Sequence, residues 1–125
     1  MAEIVLVVED EPLIRLGIVS MLEDRGFVVV EAPNADEAIR KLQSQPEIAI
    51  VLTDVDMPGT MDGVKLAHYV HNRWPPIRLI VISGKVRPRE DELPEGARFV
   101  SKPYEEMYLL GVISEVTGNR REHLS

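Results

Sequence analysis

The chain contains no cysteine, which excludes disulfides, thiolate zinc sites and a cysteine nucleophile and fits a reducing compartment. Basic residues are in deficit: 14 lysines and arginines against 21 aspartates and glutamates give a formal charge of −7. That balance argues against duplex DNA or an anionic membrane surface as principal partner, because both require a concentrated basic patch. Arg87, Arg89, Arg120 and Arg121 are too dispersed among acids to make one. No apolar run approaches the roughly 20 residues of a membrane span. The opening MAEIVLVVEDE also lacks the basic segment that begins a signal peptide. What is present is a chain of 125 residues, 45% hydrophobic and 28% charged, enough for one domain with its own core. The sequence reads as a small acidic cytoplasmic domain over residues 1–118, with 119–125 as a polar tail.

Short apolar runs alternate with segments of helical period. Ile4 to Val8 (IVLVV) is a β-branched run of the kind buried on both faces of a sheet. Pro12 suits the first turn of a helix whose apolar positions are Ile14, Ile18, Met21 and Leu22, and Arg25-Gly26 ends it. Phe27 to Val30 is a second strand. Asn34 with Glu37 resembles a capping box for a helix with Ala35, Ala38, Ile39 and Leu42 inward. Ala49 to Thr53 is a third strand, followed by a loop from Asp54 to Gly63. A helix from about Val64 to Trp74 is stopped by Pro75-Pro76. Ile77 to Ile82 and Ala97 to Val100 are the fourth and fifth strands. A last helix, about Tyr104 to Thr117, turns Leu109, Leu110, Ile113 and Val116 inward and ends at Gly118. Strands alternating with helices imply crossover connections, hence a parallel sheet with helices on both faces.

Ligands of such sheets bind outside the carboxyl ends of the strands. There the sequence puts Glu9, Asp10 and Glu11 after the first strand and Asp54 and Asp56 after the third. Ser83-Gly84 follow the fourth and Lys102-Pro103 the fifth. Clustered carboxylates persist by sharing a proton, pairing with a cation or binding a divalent metal. Oxygen donors without histidine or cysteine favour Mg²⁺. Lys102 offers a point charge for a phosphoryl group, Ser83 a hydroxyl donor, and a carboxylate is a competent nucleophile toward phosphorus. Taken singly, these residues have plainer roles: Asp10 or Glu11 as a helix cap, Asp54 to Gly59 as turn chemistry, Phe99 as core. Their joint placement points to Mg²⁺-assisted phosphoryl transfer onto an aspartate.

Four motifs in order, VVEDE, LTDVDMP-x-x-MDG, VISG and VSKPY, resemble those of a response-regulator receiver domain over about residues 3 to 117. The resemblance implies a flavodoxin-like, doubly wound, five-stranded parallel sheet of order 2-1-3-4-5. It implies Asp54 as phosphoryl acceptor and Mg²⁺ held by Glu9, Asp10, Asp54 and the backbone carbonyl of Asp56. Ser83 and Lys102 would contact the phosphoryl group, Lys102-Pro103 would be a cis peptide, and Phe99 would be an aromatic switch coupled to Ser83. The implied partners are a sensor histidine kinase or phosphotransfer protein on the input side and an unassigned protein on the output side. With no output segment expected after Gly118, signalling would proceed by protein contact, without enzymatic turnover.

The chain departs from that pattern in three places. The loop from Asp54 to Gly63 is one residue longer, at Gly59-Thr60. Residues 85–98, where a helix is expected, contain Pro88, Pro94 and Gly96. Interior proline costs a helix about 3 kcal/mol, so one short turn near Arg89 to Leu93, or an irregular loop, is predicted. Asp56 adds a carboxylate beside the acceptor, expected to modulate attack of water on the phosphoryl bond. Two other functions fit parts of the pattern: a haloacid-dehalogenase-like phosphatase using Asp54 and Asp56, and a non-phosphorylated pseudo-receiver scaffold. His68 and His71 share a helix face without an evident third ligand and read as solvated. Met107 and Tyr108 fit either core or partner surface.

Overall fold

A computed structural model describes residues 3–57, 59, 61–85 and 87–117. The expected helix end at Gly118, the tail 119–125 and Thr60 of the longer loop lie outside the described residues. Among the described residues the order is β1 (Ile4–Val8), α1 (Pro12–Asp24), β2 (Val28–Ala32), α2 (Ala35–Ser44), β3 (Ile50–Asp54), α3 (Gly63–Arg73), β4 (Arg78–Ser83), β5 (Arg98–Ser101) and α4 (Glu106–Thr117). The strands form one parallel sheet, β2-β1-β3-β4-β5.

β1 and β3 occupy the middle of the sheet, and Val5, Leu6, Val7, Ile50, Val51 and Leu52 are buried on its two faces. On one face Leu6, Val8, Val51 and Val81 pack beneath α2 and α3 through Ala38, Leu42, Leu66 and Val70. On the other, Val5, Val7, Leu52 and Ile80 meet α1 and α4 through Ile18, Leu22, Leu109 and Ile113. Each such side chain stabilises the fold by roughly 1.5–3 kcal/mol on burial. No helix among the described residues is long and apolar enough to cross a membrane.

The helix ends follow local chemistry. Asn34 accepts the Glu37 N–H at 2.9 Å and starts α2, and Asp62 accepts the Lys65 N–H at 2.9 Å and starts α3. α1 has Pro12 in its first turn, but the Glu11 side chain makes no capping bond. Gly26, at φ 89°, takes the left-handed conformation that turns the chain into β2. α3 ends at Trp74, which packs against the core beside Tyr69 and Arg73 and lines a groove with Glu3, Ile50 and Ile77 at the amino end of the sheet.

Between β4 and β5 the described chain forms one 3₁₀ turn, Glu90–Glu92, and no regular helix. Pro88 and Pro94 bracket that turn, as helix-breaking chemistry requires. The segment is fastened by Leu93 and Ala97 against the core and by His68, whose Nε2 lies 2.7 Å from the Glu92 carbonyl oxygen. His68 is therefore a tether, a role its solvated reading did not include. Met107 and Tyr108 are surface residues, 66% and 56% exposed.

Candidate functional site

Parallel register carries the chemistry-bearing residues to one edge. Asp54 is the last residue of β3 and pairs with Ile82; Ser83 is the last of β4 and pairs with Ser101. Glu9 follows β1 and donates its N–H to the Ala32 carbonyl at 3.1 Å. Lys102 follows β5, and its N–H bonds the Ser83 carbonyl at 2.9 Å. One carboxylate oxygen from each of Glu9, Asp10 and Asp54 falls within 4.8 Å of the others. Glu9 and Asp54 are buried at 2% and 6% exposure, while Asp10 is half-buried on a second groove, at the carboxyl edge, lined also by Ile14, Asp56, Lys85 and Lys102.

The Asp54 carboxylate is held on both oxygens. Oδ2 accepts from Lys102 Nζ at 3.1 Å, and Oδ1 from the Asp56 N–H at 3.3 Å. Its backbone carbonyl accepts the Thr53 hydroxyl at 3.0 Å. Lys102 Nζ also reaches within 3.9 Å of Glu9 Oε1, and Glu9 Oε2 accepts the Glu11 N–H at 3.0 Å. Burial pushes the Glu9 carboxyl up to about 7; the Glu11 N–H pulls it down, while Asp54 and Asp10 add to the rise and Lys102 opposes it. For Lys102, burial works toward the neutral amine, but Asp54, as hydrogen-bond and charge partner, and Glu9 outweigh it and raise its pKa. The lysine is therefore a fixed cation among acids.

Three oxygen donors, a half-buried ammonium and open access through the groove suit a hard divalent cation together with an anionic group. The donor set therefore fits a metal ion held by Glu9, Asp10 and Asp54. The Asp56 carboxylate lines the same groove outside that cluster. Ser83 is fully buried, one residue beyond the strand partner of Asp54. Lys102-Pro103 is a cis peptide. Phe99 is not in the groove. It lies partly buried on β5, with the Arg87 guanidinium 5.5 Å from its ring centroid.

Two residues gain roles that sequence reasoning did not assign. Gly63 opens α3 against the Asp54 backbone, and its N–H bonds the Val55 carbonyl at 3.0 Å. Arg15 donates to the Glu9 carbonyl at 2.7 Å and to Glu31 Oε1 at 3.0 Å. Ile14, expected inward, is instead 41% exposed and lines the groove. α1 buries its side chains only from Ile18 onward, which leaves Ile14 in its first turns to border the groove.

The molecule is thus a doubly wound α/β domain with a carboxylate cluster, a paired lysine and a buried hydroxyl at the carboxyl edge of its sheet. A family model for the response regulator receiver domain matches residues 5–114. The chain is 35% identical over 116 residues to sensor kinase CckA of Brucella abortus, covering 90% of this chain and 12% of that one. It is 31% identical over 116 residues to the response regulator receiver protein CpdR of the same organism, covering 90% and 92%. The first relatives are much longer proteins, of which this chain spans 12% to 27%. A response regulator receiver protein from Sinorhizobium medicae superposes with a TM-score of 0.88 at 26% identity, covering 95% of this chain and 97% of that one. The chain belongs to the response regulator receiver domain family of two-component signalling.

Proposed function

We propose that this domain accepts a phosphoryl group on Asp54 from a phosphohistidine of a sensor kinase or phosphotransfer protein, with Mg²⁺ held by Glu9, Asp10, Asp54 and the Asp56 carbonyl. The observation that carries the proposal is the meeting of three carboxylates within 4.8 Å, with Lys102 3.1 Å from Asp54. An Asp54 carboxylate oxygen forms the new bond to phosphorus as the phosphorus–nitrogen bond breaks and the histidine leaves. Bound Mg²⁺ supplies charge neutralisation for the phosphoryl oxygens. Lys102 pairs with one of those oxygens, Ser83 donates a hydrogen bond, and the Asp56 N–H keeps Asp54 aimed.

The exposed Leu13, Ile14 and Leu16, at 80%, 41% and 59%, make the start of α1, where Ile14 lines the groove, a surface for the phosphodonor partner. Phosphorylation adds about −1.5 to −2 charges. Ser83 and Lys102 then draw toward the new oxygens, and Phe99 on the neighbouring strand follows. The face carrying Phe99, Tyr104 and Tyr108 passes the change to a cytoplasmic protein partner. Similarity over 92% of CpdR, a response regulator receiver protein, supports a role as a response regulator. The phosphatase alternative needs the Asp56 carboxylate beside Asp54, whereas the cluster joins Asp54 to Glu9 and Asp10. The intact acid, serine and lysine set likewise favours a phosphorylated domain over a silent scaffold.

The test is Mg²⁺-dependent labelling by acetyl phosphate. Stoichiometric label is expected on the wild type and none on Asp54→Asn. Label retained at the same level by the variant overturns the assignment.

A further inference from the structure

The chain reaches the site from β1 through two acidic residues, Glu9 and Asp10, that share a cluster with Asp54. Glu9 and Asp10 stand beside Asp54, and Lys102, lining the same groove, contacts Asp54 and Glu9. What holds the 9–10 peptide in place lies behind the cluster. The preceding peptide is held by the Glu9 N–H on the Ala32 carbonyl of β2, and the 9–10 peptide itself by the 2.7 Å bond its Glu9 carbonyl accepts from Arg15. Arg15 stands in the first turn and a half of α1, with its own N–H on the Glu11 carbonyl at 2.9 Å. Its Nε is aimed by Glu31 on β2, 3.0 Å away, and its side chain is only 20% exposed. One planar guanidinium thereby joins the β1–α1 loop, α1 and β2, which a rotating ammonium would not do with the same fixity.

We propose that Arg15 is a positioning residue of the divalent-cation and phosphoryl-acceptor site, fixing the 9–10 peptide and so the spacing of the Glu9 and Asp10 carboxylates from Asp54. This rests on the reading of the cluster as an Mg²⁺ site. Arg15 has no contact with the clustered carboxylate oxygens in this structure; it acts through the backbone from which they project. Holding that peptide keeps φ and ψ around it from relaxing to separate the charges. The Arg15–Glu31 pair is half exposed on the glutamate side, so its direct contribution to stability is small. Its value is in directing the guanidinium.

The experiment is a calorimetric titration of the unphosphorylated full chain with Mg²⁺ alone, for wild type, Arg15→Met, Arg15→Lys and Glu31→Gln. Arg98→Met serves as control, because it cuts the Arg98–Glu115 pair at the opposite end of β5. Arg15→Met is expected to weaken binding roughly 10-fold, as loss of a group that orients metal ligands does. Arg15→Lys falls between it and wild type, Glu31→Gln loses a smaller factor in the same direction, and Arg98→Met stays at wild-type affinity. Wild-type affinity in both Arg15→Met and Glu31→Gln overturns the inference while leaving the Mg²⁺ site intact. An equal loss in Arg98→Met also overturns it, by showing general destabilisation. A wild type that does not titrate overturns the Mg²⁺ reading and this inference with it. Should Arg15→Met not fold, Glu31→Gln alone decides, by a measurable loss or by none.

Discussion

Gly63 and Asp54 meet backbone to backbone: a β-carbon on Gly63 would stand 2.0 Å from the Asp54 carbonyl oxygen and 2.7 Å from the Val55 α-carbon. The contact is with main chain, which no side-chain rotation relieves. Gly63→Ala must therefore part α3 from the end of β3. The expected cost is about 1–3 kcal/mol, as for overpacking in a filled site, together with slower phosphorylation as Asp54 shifts. Denaturant unfolding and acetyl phosphate labelling measure the two effects. Wild-type values in both would contradict the contact.

Lys102 occupies the same carboxylates that a metal ion needs, so its removal separates charge pairing from metal binding. Lys102→Met is expected to slow labelling of Asp54 by about 10²-fold, the loss typical of a preorganised charge donor. Mg²⁺ should bind the same variant at least as tightly as wild type, because a competing cation is gone. Labelling rates and Mg²⁺ titration test this jointly, and weaker Mg²⁺ binding in the variant contradicts it.

Glu9 gives the metal-free protein a pH dependence of definite sign. Its carboxyl sits at about 7 in the folded state against an ordinary 4.5, chiefly through burial. Between those values the folded chain keeps a proton that the unfolded chain releases, so stability falls as pH rises through the window. Glu9→Gln should remove this part of the slope. Urea unfolding in chelator across that range, wild type against variant, checks it; parallel curves would show that Glu9 does not titrate with folding.

His68 tethers the 3₁₀ segment through the Glu92 carbonyl. His68→Ala is expected to cost about 0.5–1.5 kcal/mol and to raise amide hydrogen exchange at residues 87–97 while the sheet stays protected. Mass-spectrometric exchange reads both. Unchanged exchange in that segment would mean that Leu93 and Ala97 suffice to hold it.

The β-branched runs made the sheet legible, since a strand buried on both faces must be apolar throughout, and parallel topology then fixed which residues share an edge. Strand limits were less legible. The apolar runs of β2 to β5 stop short of where pairing stops, because Glu31, Asp54, Ser83 and Ser101 remain in the ladder through their backbones. Asp54, the proposed acceptor, is thus part of the sheet and not of the loop beyond it. Arg15 was illegible for another reason. Its partners are a backbone carbonyl six residues away and a carboxylate on β2, and nothing in a helical pattern marks an arginine that turns back. Gly63 stood inside a recognised motif, yet only the meeting of α3 with β3 shows what a methyl group there would strike. By contrast, Pro88 and Pro94 announced the missing helix between β4 and β5 through local chemistry alone.

Trp74 is the chain's single tryptophan, and α3 separates it from the carboxyl-edge groove. An 11-residue helix spans about 16 Å, and the indole sits on the amino-end side of the sheet. Its emission will therefore follow loss of the fold with little response to occupancy of the site. That makes it a clean channel for equilibrium unfolding in variants that alter the acid cluster. Optical detection of cation or phosphoryl binding calls for a fluorophore introduced at the rim, with exposed, groove-lining Ile14 as the natural position.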